Sequence, residues 1–286
     1  MENYIDISII IPHRNSKGSL NKLLSTIKPH RNIEIIIIDN SEKNKLEYKD
    51  LIYTEGVKID YSPIILGAGG ARNKGIELAK GKWILFADAD DYFTTNALEI
   101  LQKFIKSDND IIYFKTDSIY INTDKKANRH QFYNQLIDDY IRNRDEQKIK
   151  FLWTSPCNKL IRHEIIKKYS IRFHTTKACN DAYFSIVSGY YCNKMEVSNE
   201  IIYVITSSNT SITSKKDFKT LECRYKETIL CNEFLKKKNL KSYCIPMIGF
   251  LFKAIQKNPL SILNLLYFAY KHDINPFINC MKKNRQ

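Results

Sequence analysis

The chain has 286 residues, of which 43% are hydrophobic, so it can bury the core of one large domain or two small ones. This composition excludes a disordered chain, and the net charge of +14 favours anionic partners such as nucleotides, acidic lipids or nucleic acid. The seven cysteines show no paired CxxC spacing and leave an odd one over, which argues against both a zinc site and a disulfide framework.

The start of the chain bears on its location. Met1 to Tyr4 lead directly into a strand-like run, without the positively charged and apolar segment of a cleavable signal peptide. The longest apolar stretches are far shorter than the roughly 20 residues that a membrane-spanning helix needs. We therefore expect a cytoplasmic protein without a transmembrane helix.

The first part of the chain alternates predicted strands and helices. Apolar β-branched runs at Ile5–Ile11 and Ile33–Ile38 predict buried strands, and the helical spacing of the leucines between them predicts a helix that ends near Pro29. The further predicted elements, in order, are strand Val57–Tyr61, helix Ala71–Lys80, strand Trp83–Ala87, helix Thr95–Ile105 and strand Ile111–Lys115. This order predicts an α/β fold with a Rossmann-like, mostly parallel sheet and helices on both faces, which binds its ligands at the carboxyl ends of the strands.

The second part of the chain is more helical. A polar helical pattern covers Arg129–Lys150, Asn180 is predicted to cap a helix over Asp181–Ser188, and Glu200–Ile205 predicts a late strand. From about Asp217 onward the pattern is helical in three pieces, which are separated near Asn239–Tyr243 and at Asn258-Pro259. The basic excess is concentrated here, since residues 215–286 hold 15 Lys/Arg against 5 Asp/Glu.

The segment over residues 67–93, GAGGARNKGIELAKGKWILFADADDYF, delivers three carboxylates to the end of a predicted strand. Asp88, Asp90 and Asp91 repel one another unless solvent or a divalent cation lies among their oxygens, and Mg²⁺ or Mn²⁺ matches oxygen ligands. The alternative is that Asp90 and Asp91 only form a turn and cap the next helix.

Four segments, IDISIIIPHRN, IEIIIIDNSEKN, the 67–93 segment and PCNKLIRHEII, occur in an order and spacing that resemble the inverting family 2 glycosyltransferases of the GT-A fold. The resemblance covers about the first 212 residues. It implies a catalytic domain over 1–212 and a basic helical C-terminal subdomain over 213–286. It also implies transfer of a sugar from a nucleotide diphosphate, with a uridine nucleotide expected, to a hydroxyl of a growing cell-surface polysaccharide or glycolipid.

The resemblance assigns several residues to the donor. The expected donor-binding residues are Pro12, Arg14, Asn15, Asp39, Gly67, Arg72, Asn73, Asp88, Ala89 and Asp90. Asp39 is expected to accept a hydrogen bond from a uracil ring, and Arg72 to bind phosphate as a bidentate cation. The alternatives are a simple turn at Asp39 and helix capping at Arg72 and Asn73. GAGG is not a full dinucleotide fingerprint, so an NAD enzyme is not expected.

Asp88-Ala89-Asp90 matches the DxD motif of that family. The match implies that Asp88 lies near the ribose and that Asp90, together with Asp88, ligates a Mn²⁺ or Mg²⁺ ion that bridges the two phosphates. Such an ion neutralises the diphosphate and stabilises the charge that grows on the leaving nucleotide. Asp91 is expected to orient these ligands or to touch the sugar.

Asp181 is the candidate general base. It lies in ACNDAYFSI, which resembles the Glu-Asp-x-x-Phe element of inverting members, although Asn180 stands where that element has Glu. The alternative for Asp181 is simple charge at a helix N-terminus. Thr206 departs from the Arg that often follows the Tyr-x-Tyr strand, whereas Ser211-Ile212 matches. His174 is a candidate for contact with the acceptor.

Other functions remain open from the sequence. Asn180 allows a catalytically inactive nucleotide-sugar binding module. The charge and the 18 Tyr and 14 Phe residues suggest a nucleic-acid-binding protein, but no interleaved basic and aromatic motif is found, so nucleic acid is not an expected partner. The basic apolar tail is compatible with an anionic membrane surface, at the inner face of the plasma membrane, or with packing on the catalytic domain.

Overall fold

The computed structural model describes residues 4–121, 123, 125–176, 178–207 and 217–277. Its centre is an eight-stranded sheet in the order β3-β2-β1-β4-β7-β6-β8-β5. The strands are β1 (Ile7–His13), β2 (Ile33–Asp39), β3 (Val57–Tyr61), β4 (Trp83–Phe86), β5 (Tyr92–Phe93), β6 (Ile111–Tyr120), β7 (Lys159–Arg162) and β8 (Met195–Ser207).

Six of the strands run in one direction. β1 pairs in parallel with β2 and β4, β2 with β3, and β6 with β8. β7 is antiparallel to both β4 and β6, so those two strands share a direction. β5 is antiparallel to β8. The carboxyl ends of β1, β2, β4, β6 and β8 therefore lie along one edge, as the mostly parallel sheet predicts.

The helices cover the sheet and continue beyond it. They are α1 (Lys17–Ser25), α2 (Gly67–Leu78), α3 (Ala97–Gln102), α4 (Gln131–Asn143), α5 (Glu146–Leu152), α6 (His163–Lys168), α7 (Asn180–Tyr191), α8 (Phe218–Lys237), α9 (Ile248–Lys257) and α10 (Ile262–Lys271). The apolar runs of β1 and β2 are buried because they are covered on both sides, which is why the sequence shows continuous rather than alternating hydrophobicity there.

Three sequence predictions need correction. α2 begins at Gly67 and not at Ala71, so the glycines lie inside the helix. Asn180 is the first residue of α7 and not its cap; Cys179, with φ of 60°, precedes the helix without a side-chain capping bond. The sequence did not predict β7 or α6, which follow the break at 153–160.

The three predicted C-terminal helices are confirmed. α8 packs against α7, and Cys231 and Leu235 of α8 share a buried cluster with Phe151 and Ile186. A second cluster joins α8 to α9 and α10. Among the described helices, none has both the length and the apolar character needed to cross a bilayer. Residues 212 and 213, where the sequence predicts a domain boundary, and Ser211-Ile212 lie outside the described residues.

Candidate active site at the carboxyl edge of the sheet

The acidic turn follows β4 and is held from two strands. Ala87 donates its backbone N–H to Ile10 of β1, which continues the pairing of β4 with β1. Asp88 donates its N–H to the hydroxyl oxygen of Tyr203 on β8, over 2.8 Å. Ala89 is buried, which anchors the middle of the turn. The turn presents Asp88 and Asp90 to solvent at the carboxyl edge.

Arg72 links this turn to the candidate base. Its side chain is only 4% exposed, and its Nη2 donates to Asp88 Oδ1 over 2.6 Å while its Nη1 donates to Asp181 Oδ1 over 2.7 Å. Nη1 also lies 3.2 Å from Asn180 Oδ1. The guanidinium lies over the Phe173 ring, 5.3 Å from its centroid. The structure therefore brings together four residues that the sequence predicts for the site: Arg72, Asp88, Asn180 and Asp181. Arg72 and Asp181 are more than 100 positions apart in the sequence.

The environment of Asp181 suits a base. Desolvation in the cleft raises the pKa of Asp181, and the Arg72 guanidinium opposes part of that rise. The carboxyl side chain is nevertheless 38% exposed, so an acceptor can reach it. Asn180 does not cap α7, because its amide oxygen faces Arg72 and its amide nitrogen donates to the carbonyl of Thr176. Because the Asn180 side chain is neutral, the negative charges that pair with the Arg72 guanidinium are those of Asp88 and Asp181.

The other two carboxylates of the turn have different surroundings. Asp90 is exposed, and desolvation together with the nearby Asp88 raises the pKa of Asp90. Asp91 is buried and accepts the backbone N–H of Thr206 over 2.7 Å. Burial first, and then Asp88 and Asp90, raise the pKa of Asp91 well above its usual range. Thr206 also donates its hydroxyl to the Asp90 carbonyl, so this departure from the family pattern holds the turn.

The fit of a divalent cation can be judged from these oxygens. The described residues contain no group of three or more His, Cys, Asp or Glu side chains that could hold a metal ion by themselves. Mg²⁺ is commonly held by one or two carboxylates together with substrate phosphates and water, so a small protein ligand set is sufficient. Asp88 and Asp90 are solvent-accessible carboxylates whose mutual repulsion a cation would relieve. The residues present therefore fit a hard divalent ion that arrives with a diphosphate.

The ends of β1 and β2 form a closed polar network. His13 and Asp39 are register partners, and Asp39 Oδ1 lies 2.9 Å from His13 Nδ1. Asp39 also accepts from the N–H and hydroxyl of Ser41 and from the N–H of Leu46. These hydrogen bonds lower the pKa of Asp39 although its burial acts in the opposite direction. Asp39 is 1% exposed, and its carboxylate is oriented inward.

The residues around this network form its outer rim. Arg14 and Asn15 are exposed and Pro12 is half-buried. Asn15 adopts φ of 54° and donates its backbone N–H to Ser41 over 2.9 Å, which ties the rim to β2. His13 lies within the stretch from Pro12 to Asn15 that was expected near the nucleoside, but its pairing with Asp39 was not predicted, because a buried imidazole leaves no distinct signal in a single sequence.

The loop over residues 171–176 is fastened to α2. The Asn73 amide donates to the Phe173 carbonyl over 2.9 Å and accepts its N–H over 2.8 Å. Gly69 lies so close to this loop that a Cβ there would stand 2.2 Å from the His174 carbonyl oxygen. Gly67 adopts φ of 58°, and a Cβ there would stand 3.4 Å from the Thr176 carbonyl oxygen, an ordinary van der Waals distance. Asn73, a predicted donor residue, thus makes structural contacts that hold the loop before Asp181.

His174 is engaged with α8. Its Nδ1 lies 2.8 Å from Glu227 Oε2, and its ring stacks on Tyr183 with centroids 4.1 Å apart. The side chain is 29% exposed, so it remains accessible to solvent.

Sequence reasoning missed two cationic residues near the site. Arg129 is exposed, donates to the Thr206 carbonyl over 3.0 Å and lies close enough to Asp90 to oppose part of the rise in the pKa of that carboxyl. Lys159 is fully buried beside the Tyr113 ring, and burial lowers the pKa of its ammonium to about 7. Lys159 belongs to the PCNKLIRHEII segment, which was used as a motif without a role for its lysine.

The chain is similar in sequence to known glycosyltransferases. The sequence profile of Glycosyl transferase family 2 matches residues 8–170. A poly(ribitol-phosphate) beta-glucosyltransferase of Bacillus spizizenii is 28% identical over 207 residues, which cover 69% of this chain and 31% of the relative. Glycosyltransferase GlyG of Streptococcus pneumoniae is 29% identical over 179 residues, covering 57% of this chain and 58% of the relative. The match thus spans less than two thirds of either relative.

Solved structures show the fold. The Staphylococcus aureus TarS fragment 1-349 in complex with UDP superposes with a TM-score of 0.56 at 19% identity, over 99% of this chain and 92% of that one. The mannosyltransferase PcManGT of Pyrobaculum calidifontis, in complex with GDP-Man and Mn²⁺, gives a TM-score of 0.54 at 13% identity, over 95% and 74%. The predicted GT-A fold is confirmed. Because the family profile matches more than half of the chain, this protein belongs to glycosyl transferase family 2.

Proposed function

We propose that the protein transfers one sugar from a nucleotide diphosphate donor, a uridine nucleotide, to a hydroxyl of a growing polysaccharide or lipid-linked glycan, with inversion at the anomeric carbon. The family membership supports the reaction class. Relatives supply the substrate class: one is named as a poly(ribitol-phosphate) beta-glucosyltransferase, and an Escherichia coli relative as a UDP-Glc:alpha-D-GlcNAc-diphosphoundecaprenol beta-1,3-glucosyltransferase.

The observation that carries the proposal is the shared guanidinium of Arg72. Asp88 of the acidic turn and Asp181 at the start of α7 bind the same side chain over 2.6 and 2.7 Å. A donor held at Asp88 would therefore lie near Asp181, a carboxylate that an acceptor can reach. Transfer with inversion needs a base beside the acceptor hydroxyl, on the side of the anomeric carbon opposite the leaving diphosphate.

Asp181 is proposed as the base. In its charged form it takes the proton of the acceptor hydroxyl as the oxygen attacks the anomeric carbon. Arg72 keeps the carboxylate ionised and oriented, while desolvation in the cleft keeps it basic.

Asp90 and Asp88 are proposed to hold Mn²⁺ or Mg²⁺. When bound, the ion supplies charge neutralisation at the diphosphate and stabilises the leaving nucleotide. The chain's own contribution is to keep the turn in place through Tyr203 and Thr206, with the buried Asp91 as its anchor. Arg129, beside Asp90, is proposed to contact the diphosphate as well, since most of its donor groups face solvent.

The nucleoside is proposed to bind at the rim formed by Pro12, Arg14 and Asn15. The Asp39 carboxylate already accepts from His13, Ser41 and Leu46, so it acts as the support of that rim. Asp39 is 1% exposed, so a direct hydrogen bond from the uracil ring to Asp39 would require the rim to open.

We retain the division into a catalytic domain over 1–212 and a helical subdomain over 213–286 as part of the proposal. α8 packs on α7 and shares a buried cluster with it, so the subdomain is a brace for the catalytic part. The His174 contact with Glu227 supports an acceptor-side role for this junction.

The test is the Asp181→Asn variant, assayed with a panel of nucleotide sugars, Mn²⁺ and glycan or lipid-linked acceptors. Loss of the base should reduce transfer by about 100-fold or more, with uridine nucleotide binding nearly unchanged. Asp108→Asn is the matched control, because Asp108 is exposed and pairs only with Lys194 among the described contacts. Retained transfer by Asp181→Asn would remove that residue from the mechanism, and donor binding without any transfer across the panel would identify an inactive binding module.

A further inference from the structure

The last two helices are apolar on two faces. One face explains the local fold: it packs on α8, where Tyr225 and Ile229 are buried. The residues that α9 and α10 contribute to this cluster are Leu251, Ala254, Leu265 and Ala269. A helix of a water-exposed subdomain needs only this one apolar stripe.

The opposite face is apolar and uncovered. Phe252 is 62% exposed, Leu263 73%, Tyr270 81% and Leu260, in the turn between the helices, 88%. Further exposed apolar side chains in the same segment are Ile248, Ile255, Tyr267 and Phe277. Isolated exposed apolar residues need no explanation, but a continuous series on two adjacent helices indicates an interaction surface. We call these eight residues the outer face.

The charges on α9 and α10 have one sign, and Asp273, which follows α10, is paired with Lys236. The sequence has no acidic residue between Glu233 and Asp273. Lys253, Lys257 and Lys271 are exposed on α9 and α10 themselves. A second copy of the chain would bring these cations towards each other, which disfavours self-association. Acidic lipid headgroups complement them, and tyrosines such as Tyr267 and Tyr270 are typical of the boundary between headgroups and acyl chains.

From these observations we propose that the outer face docks on the surface of an anionic lipid bilayer. The helices lie in the interface with Leu260 and Leu263 below the headgroups and the lysines among them. No described helix could span the bilayer, so the attachment is peripheral and reversible.

The docked helices are connected to the active site through α8. Glu227 of α8 lies 2.8 Å from His174, and Cys223 donates its thiol to the Ala178 carbonyl over 3.3 Å. Both contacts hold the loop that precedes Asp181. Through α8, docking thus links the lipid surface to the loop that precedes Asp181. The relevance of this link to the acceptor rests on the proposed function, whereas the docking itself does not.

The experiment is sedimentation of the full chain with vesicles of phosphatidylcholine alone or mixed with phosphatidylglycerol. The wild type should pellet with the mixed vesicles and far less with the neutral ones. Leu263→Glu combined with Tyr270→Glu should weaken this binding by about tenfold or more, because each change places a charge in the apolar layer. Ile52→Glu is the matched control, since Ile52 is 53% exposed at a distant turn; its binding should equal that of the wild type.

A second variant separates charge from apolar contact. Lys253→Gln with Lys257→Gln should weaken binding to the mixed vesicles by about fivefold per lysine and leave the weak binding to neutral vesicles unchanged. Size-exclusion chromatography and uridine nucleotide binding accompany each variant. Equal pelleting of the Leu263→Glu, Tyr270→Glu variant and the wild type would overturn the proposal, as would a wild-type dimer that this variant dissociates. A wild type that does not bind uridine nucleotides would contradict the proposed function and not the docking.

Discussion

At the scale of single residues, the site depends on one buried cation. Arg72 is almost fully buried and binds carboxylates from two different elements, Asp88 and Asp181. Removing one partner of such a group leaves uncompensated charge and is strongly destabilising, whereas in the intact set Nη1 and Nη2 of Arg72 each bind a carboxylate. The planar fork of an arginine can hold both carboxylates at once, which the point charge of a lysine does less well.

The pH dependence of transfer should report this arrangement. Desolvation raises the pKa of Asp181 and Arg72 lowers it, so the base loses its charge as the pH falls through a value above the usual Asp range of about 3.9. In Arg72→Met the opposing cation is gone, and the acid limb of log kcat/KM should move to higher pH. Steady-state assays across the acidic range measure this limb. A limb that stays in place or moves to lower pH would show that Arg72 does not act on the base.

The sequence predicts which residues belong to the site better than it predicts the contacts that these residues make. Asp88, Asp90 and Asp181 stand in recognisable local patterns, and the fold leaves all three accessible from solvent. The inward orientation of Asp39 and the anchoring of Asp91 by Thr206 could not be predicted, because they depend on contacts with β1 and β8 from far along the chain. A strand-end carboxylate has the same sequence signal whether it faces solvent or the interior.

At the scale of elements, the close approach of α2 to the loop over 171–176 positions Asp181, the proposed base. Gly69 permits the His174 carbonyl to approach, and Asn73 pairs with the backbone of Phe173. Gly67 of this glycine-rich stretch was expected to bind the donor. In the structure the stretch lies in α2, and the backbone that it approaches closely is that of the loop over 171–176.

Gly69→Ala should therefore destabilise the protein by about 1–3 kcal/mol. Its Cβ would stand 2.2 Å from a backbone oxygen, so either α2 or the loop must shift. Gly18→Ala is the matched control, because no atom lies within 4 Å of a Cβ there and alanine favours the helix by about 0.5–1 kcal/mol. Urea unfolding of both variants gives the comparison. Equal stabilities of Gly69→Ala and the wild type would show that the loop is not held as described.

At the scale of the whole molecule, the order of the strands along the chain does not by itself predict their order in the sheet. The β-branched runs of β1 and β2 predict adjacent parallel strands, and they are neighbours. The placement of β7 between β4 and β6, and the pairing of β8 with β6, join segments that are distant in sequence. Those pairings carry Tyr203 and Thr206 to the acidic turn. The edge of the sheet that holds the site could be predicted, whereas the contacts of Tyr203 and Thr206 with the acidic turn could not.

The C-terminal helices complete the same arrangement. α8 was predicted only as part of a basic tail, yet it shares a buried cluster with α7 and contacts the loop before Asp181 through Glu227. Packing on the catalytic domain and contact with an anionic membrane surface were considered as alternatives for the tail. α8 shows the first, and the outer face of α9 and α10 motivates the second.

The central claim is that Asp88 and Asp90 hold a divalent ion together with a uridine diphosphate. Isothermal titration calorimetry of UDP with the wild type and with Asp90→Asn, each with Mn²⁺ and after its removal by a chelator, tests it directly. We expect binding by the wild type to weaken by about tenfold or more without Mn²⁺, and Asp90→Asn to bind weakly in both conditions. Binding that is equally tight with and without the metal, or unaffected by Asp90→Asn, would contradict the account.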